Sequence, residues 1–349
     1  MEYYSEECFT VIILNKAVLS EDIQFDNFLL LKTCDSSGPL GMRKQAVAES
    51  TLINKIQQFT NAKNDTIENA IFELKQGSNI EHFYFPILVV KNTGHYNYLS
   101  DYSISQRSII DLKCIFNILS VRFNVSSHNI MHSIAHNKRI KHYVTFNSSD
   151  SYVRSPINSS FYFKYSLDFL SCENAQNDFL KLHNTTKLNF STKSILTKFK
   201  KAFKFLNMSI EQKDTYEKLP YTVLHLLIAA ETLFVNKTRG EKKYTLSKIF
   251  NGILPHSVHS NSIDKAIVEV YNARSFYLHA GKMNFVKFTE KFKEIKRSGQ
   301  YQITKESDSL EILLDIMVDS LFVFVDYFNN NLKLENNSLD LWDTYLKQF

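Results

Sequence analysis

Two hydrophobic periods divide this chain, and the change from one to the other falls near residue 190. Before that point short apolar runs are separated by polar breaks. Residues 10–14 (TVIIL) and 28–31 (FLLL) have the length and density of buried strands. Residues 83–90 read as a strand with Pro86 near an edge or bulge. Residues 143–146 and 161–165 alternate as strands do. Residues 45–60 predict a helix, with Ala46, Leu52, Ile53, Ile56 and Phe59 at helical spacing, and 108–119 predict another. The Asn- and Ser-rich stretch 147–160 predicts a loop, and 183–192 is polar enough for a linker.

After the linker the period is helical. Helix 194–208 places Ile195, Phe199, Ala202, Phe203 and Leu206 on one side and Lys200, Lys201 and Lys204 opposite. Such a lysine face is either simply solvated or an edge that attracts phosphate. Helix 221–234 carries Val223, Leu227, Ala230 and Phe234 on one face, with Glu231 just beside it. A carboxylate there costs on the order of several kcal/mol unless it is paired, so Glu231 predicts a cationic or donor partner.

Helix 262–278 starts at Ser262 as N-cap, with Asp264 in its first turn. Its stripe is Ile263, Ile267, Val270 and Tyr277, and Arg274 interrupts the middle of it. Arg274 and Glu231 are therefore candidates to pair across two packed helices. His279 lies five residues beyond Arg274, about 140° round an ideal helix. Gly281 marks the helix end, so the last turn has room to depart from ideal. Helices 285–296, 310–329 and a short tail at 339–346 with Trp342 complete the pattern. The expected fold is α+β: a mixed α/β domain over 1–188, then an all-α helical bundle over 189–349.

Composition narrows the function. At 349 residues two domains are expected, and 44% hydrophobic with 22% charged residues is globular. A net charge of +5 permits a nucleic-acid partner without requiring one. Cys8, Cys34, Cys114 and Cys172 form no CxxC and predict free buried thiols in a reducing cytoplasm. The N-terminus has no signal-peptide pattern, and Asp315, Asp319 and Asp326 break the run 321–325, so no membrane span is expected. No metal-ligand constellation, cofactor motif, glycine-rich phosphate loop or nucleophile elbow is present. A basic stretch, 236–243, holds Lys237, Arg239, Lys242 and Lys243, with either a solubility role or phosphate contact.

Four residue sets carry a resemblance to a known family. They are the aromatic-faced helix around 199–203, Ala230-Glu-Thr-Leu233, the basic loop after it, and Arg274-Ser-Phe-Tyr-Leu-His-Ala-Gly281 followed by a long apolar helix. Together, over roughly 194–330, they resemble the Apea-like branch of the HEPN superfamily. The resemblance implies an R-x(4–6)-H ribonuclease motif, with Arg274 and His279 catalytic. Ser275 follows the arginine in the supporting position, beside Asn272 and Glu231. It also implies a homodimer whose two motifs face each other in one cleft. Some relatives carry a modified tyrosine two residues after the histidine; here that position is Gly281, and the regulation does not carry over. The spacing alone is common, since Arg122 and His128 satisfy it too, without a surrounding helix pattern.

The chemistry fits RNA. A histidine accepts or donates a proton near neutral pH, and an arginine holds phosphate oxygens as a permanent planar cation. One chain offers one such histidine, and a second chain would bring another. The leading expectation is a metal-independent endoribonuclease acting on cellular RNA as a growth-arresting toxin or defence effector. The alternative is an inactive module of the same fold that binds nucleic acid or dimerises.

Overall fold

The computed structural model describes residues 8–15, 17–36, 44–78, 83–92, 101–125, 143–147, 153–154, 163, 165–187, 195–212, 219–235, 242–253, 263–283, 285–293, 306–331, 342 and 344–348. The chain is mixed α+β and divides into two compact units, 1–113 with 125–177, and 114–124 with 178–349.

The first unit opens with β1 (Cys8–Ile13), β2 (Ile23–Phe25), β3 (Phe28–Leu31), β4 (Cys34–Ser36) and β5 (Lys44–Ala46). Helices α1 (Glu49–Thr60) and α2 (Asn64–Ser78) follow, then β6 (Ile87–Asn92), α3 (Asp101–Arg122), which belongs to the second unit from Cys114 onward, β7 (Tyr143–Asn147) and β8 (Val153–Arg154). Among the described residues the main sheet is ordered β2-β3-β6-β1-β7-β8, and its pairings are antiparallel. Val11 at its centre faces Val89 on one side and Val144 on the other. Phe9, Val11, Ile13, Leu29, Leu31, Ile87, Val89 and Val144 form one core with Leu52, Ile53 and Ile56 of α1 and Ile67, Ala70, Ile71 and Leu74 of α2. Thr10, Ile12, Leu30, Leu88 and Val90, which alternate with these, are buried as well. Burial of both faces is why the central strands read as continuous apolar runs.

Several expectations for this unit need correction. The helix expected over 45–60 begins at Glu49, because Lys44–Ala46 pairs with Cys34–Ser36 as a small hairpin. The strand expected over 83–90 begins at Ile87. Pro86 has no N–H for a ladder, and its carbonyl accepts the Leu14 N–H at 2.9 Å. Residues 161–165 are no strand among the described positions. Of these, Phe163 and Tyr165 are described, and both are buried: the Phe163 N–H donates to the Asn15 carbonyl, the Tyr165 carbonyl accepts the Val18 N–H, and a bridge pairs Val18 with Ser166. The expected loop 147–160 contains β8. Cys114 is buried, but Cys34 is partly accessible and Cys172 exposed, so the thiols are not all buried.

A single 3-10 turn (Asp168–Ser171) leads into α4 (Glu173–Lys187). The first part of the linker expected over 183–192 is the end of this helix, with His183, Thr185 and Thr186 buried. Their polarity is absorbed locally: the two threonine hydroxyls donate to the carbonyls of Lys181 and His183 at 2.8 Å, and His183 stacks on Phe179. The second compact unit takes up the chain again at Asp178, within α4, and also holds Cys114–Asn124.

The second unit adds α5 (Ile195–Gln212), α6 (Leu219–Phe234), α7 (Lys242–Ile253), α8 (Ile263–Ala280), α9 (Phe285–Lys293) and α10 (Glu306–Asn331). Phe199 stacks on Phe203 and Phe324, and Phe234 contacts Phe250 and Trp342. Trp342 is fully buried and its indole N–H donates to the Leu233 carbonyl at 2.9 Å. Buried side chains on α10 lie nearly all round it, as for a central helix. Ser262, the expected N-cap of α8, lies outside the described residues. No helix among the described residues is long and apolar enough to cross a membrane.

Candidate functional site

α6 and α8 meet at the two charges that interrupt their apolar faces. Val223, Leu227, Ala230 and Phe234 of α6 are buried, as are Ile263, Ile267 and Val270 of α8. Glu231 and Arg274 sit at the margin of this contact, and the Arg274 Nη1 donates to Glu231 Oε1 at 2.8 Å. The side chains retain 14% and 28% of their accessible surface, which places the pair between a surface and a core ion pair.

Glu231 has two further donors. Tyr271, one turn before Arg274, donates its hydroxyl to the same Oε1 at 3.0 Å. Lys242, the first residue of α7, donates to Oε2 at 2.9 Å. Burial pushes the Glu231 carboxyl up. The hydrogen bonds from Lys242 and Tyr271 and the charges of Arg274 and Lys242 outweigh this, so it lies below the usual carboxylate range. Burial, followed by the charge and hydrogen bond of Glu231, pushes the Tyr271 phenol up, so it stays protonated and remains a donor. The Arg274 guanidinium carbon lies 5.8 Å from the Tyr271 ring centre, and its buried Nε has no partner among the described residues.

His279 stands elsewhere. α8 stays helical through Ala280, and Gly281, at φ +69°, closes it with its N–H on the Tyr277 carbonyl at 2.8 Å. The last turn is therefore regular, with no departure that swings His279 back toward Arg274. Helical spacing instead groups the exposed residues Asn272, Ser275, Phe276 and His279 on one face, while Tyr271 and Arg274 share the face toward α6. Among the described histidines of this unit, His183 is buried and His225 lies 3.1 Å from Gln212 with its pKa lowered by burial; His279 is exposed. Exposed apolar side chains are also present on α8 and α9: Phe276, Leu278 and Val286 are each more than half exposed, and Tyr277 meets Tyr221 of α6 edge to face.

The remaining candidates divide. Lys242 and Lys243 belong to α7, a correction to the basic loop expected over 236–243, and Lys237 and Arg239 lie outside the described residues. Lys201 and Lys204 are exposed and Lys200 is partly so, but among the described residues none of the three bonds to Glu231 or Arg274. Arg122, of the second motif-like spacing, is committed to Asp178 at 2.6 Å and Asp319 at 3.3 Å, over the Phe322 ring; His128 lies outside the described residues. Among the described residues no group of histidine, cysteine and acidic side chains is placed to hold a metal ion. Sequence reasoning missed Tyr271. Its signal was a phenol three residues before an arginine set in an apolar stripe, on the same helical face.

Comparisons with family models, with curated proteins and with solved structures match none of them to this chain.

Proposed function

We propose that the second unit is a metal-independent endoribonuclease of HEPN type whose site is completed by a second copy of the chain. The observation that carries this reading is the Glu231-held Arg274 on the same helix as an exposed His279. In the reaction, a base removes the 2′-OH proton and the 2′ oxygen attacks phosphorus. The P–O5′ bond breaks to leave a 2′,3′-cyclic phosphate, and an acid protonates the departing 5′ oxygen. Arg274 holds the phosphate oxygens, where a fixed cation is worth most as charge builds. His279 supplies one proton transfer, and the equivalent histidine of a second copy supplies the other.

The separation of Arg274 and His279 onto different faces supports two chains over one, because a single helix does not turn both toward one phosphate. The exposed Phe276, Leu278 and Val286 offer apolar surface for such a contact. The physiological role that fits a general RNA-cleaving activity is growth arrest, as a toxin or defence effector acting in the cytoplasm. Lys242 and Lys243, with Lys237, Arg239 and the α5 lysines, supply positive charge for the RNA backbone.

The same separation favours a second reading, in which the unit binds RNA or dimerises without cleaving. Purified protein incubated with total RNA in EDTA distinguishes them. Cleavage that persists in EDTA and is lost in both Arg274→Ala and His279→Ala supports the enzyme. Intact RNA with wild type and variants alike, in a protein shown to be dimeric, rejects it.

A further inference from the structure

We infer that Tyr271 is the positioning residue of this site, fixing the plane of the Arg274 guanidinium through Glu231. The inference rests on the reading that Arg274 holds phosphate, and it assigns a role to a residue with no counterpart in the motif.

Among the described residues, the guanidinium makes one hydrogen bond, from Nη1 to Glu231 Oε1, while its buried Nε is unpartnered. A single bond fixes a point and leaves the plane of a five-donor fork free to tilt. Two features of Tyr271 remove that freedom. Its ring stands 5.8 Å from the guanidinium carbon, near the outer limit of a cation–ring contact. Its hydroxyl shares Oε1 with Arg274, so the oxygen that anchors the arginine is itself anchored. Ring, guanidinium and carboxylate thus close a loop, built on residues one turn apart on α8 and one residue of α6.

Lys242 does not do the same work. It takes the other oxygen, Oε2, from a side chain that keeps 58% of its accessible surface and has four rotatable bonds. Tyr271 is stiff, mostly buried and held in its donor form. Without the hydroxyl, Glu231 keeps its cations but loses the fixed donor on Oε1. Phosphate attraction then survives while in-line alignment degrades. Misplacement of a reacting group by about 1 Å costs on the order of a hundredfold in rate, so a small tilt has a measurable effect.

The test compares wild type, Tyr271→Phe, Glu231→Gln and the double variant for cleavage of an RNA oligonucleotide in EDTA, with Arg274→Ala beside them. Tyr271→Phe is expected to lower kcat roughly tenfold with KM within about twofold. The double variant is expected to be no slower than Glu231→Gln alone, because the hydroxyl acts through that carboxylate. Independent losses that multiply, or wild-type kcat in Tyr271→Phe when Arg274→Ala is inactive, overturn the positioning role and leave the ribonuclease reading standing. A second readout needs no activity. The Nε–H resonance of Arg274, assigned by its disappearance in Arg274→Lys, is expected to shift or broaden in Tyr271→Phe. An unchanged resonance overturns the inference. Wild-type protein that leaves RNA intact rejects the ribonuclease instead, and the resonance still decides whether Tyr271 positions Arg274.

Discussion

Glu231 and Arg274 pair at 2.8 Å across the contact of α6 and α8, each set at the margin of an otherwise apolar helix face. Removing one partner strands the other. Fully buried pairs lose about 3–5 kcal/mol in this way and exposed pairs about 0–1. With side-chain exposures of 14% and 28%, Glu231→Ala is expected to cost about 2 kcal/mol. Glu231→Gln, which keeps an acceptor, costs less. Replacing both residues by methionine recovers most of the loss, since no charge is then left unpaired. Thermal or urea unfolding of the three variants checks this, and a double variant weaker than Glu231→Ala contradicts it.

The same carboxylate gives a pH dependence of defined sign. Its folded-state pKa lies below the ordinary value of about 4.3. A depressed carboxyl contributes stability that is present above its unfolded-state pKa and is lost as pH falls through the folded-state value. The stability difference between wild type and Glu231→Gln is therefore expected to be constant from pH 7 to about 5 and to shrink below about pH 4. Melting midpoints of both proteins across that range measure it. A difference that does not change between pH 7 and pH 3 refutes the assignment.

The lysine face of α5 separates binding from stability. Lys201 and Lys204 are exposed and Lys200 is partly so. Changing all three to glutamine is expected to alter stability by less than about 0.5 kcal/mol per site. If the face attracts RNA, the same change lowers the slope of log affinity against log salt by roughly 2–3, near one unit for each phosphate that is no longer neutralised. An unchanged slope assigns these lysines to solvation alone.

How much of this was legible in the sequence depends on where polarity sat. The Glu231–Arg274 pair was readable because each charge broke a clean apolar stripe, and burial forces such charges to find each other. The polar stretch 183–187 misled for the opposite reason. Its threonines bond to carbonyls of their own helix, and His183 hides against Phe179, so a polar sequence is buried. Ala46 fitted a helical spacing yet lies in a hairpin strand, because pairing with Cys34 outweighs the weak preference of one residue. Tyr271 was passed over because a tyrosine on a half-buried face looks ordinary. Only the positions of Glu231 and Arg274 reveal its hydroxyl as the third side of their contact.

Trp342 provides a reporter for the helical unit. It is the chain's one tryptophan, fully buried among Phe234, Phe324, Tyr327 and Tyr345, with its indole N–H on Leu233. Its emission is expected to be blue-shifted in the folded protein and to move red only when this unit unfolds. Trp342→Phe removes the donor and part of the volume, and is expected to cost about 2–4 kcal/mol, leaving the Leu233 carbonyl with one donor fewer. Denaturation followed by far-ultraviolet circular dichroism together with tryptophan emission tests the assignment. Red-shifted emission from the native protein contradicts the burial.

Gly281 fixes where α8 stops and hence how His279 is presented. Its φ of +69° is a left-handed value, and its N–H closes the last turn on Tyr277. A Cβ added here meets no atom within 4 Å, so the cost of a substitution is in the backbone and not in packing. Gly281→Ala is therefore expected to destabilise by about 1 kcal/mol, and Gly281→Asn, which enters this conformation more readily, by less. The functional consequence follows from position: a frayed last turn loosens His279 while leaving the Glu231–Arg274 pair one to two turns back intact. If His279 is a proton-transfer group, Gly281→Ala lowers kcat by more than its stability loss implies at temperatures well below the melting midpoint, and Gly281→Asn restores part of it. Equal kcat in all three proteins would show that the geometry of this helix end is irrelevant to turnover.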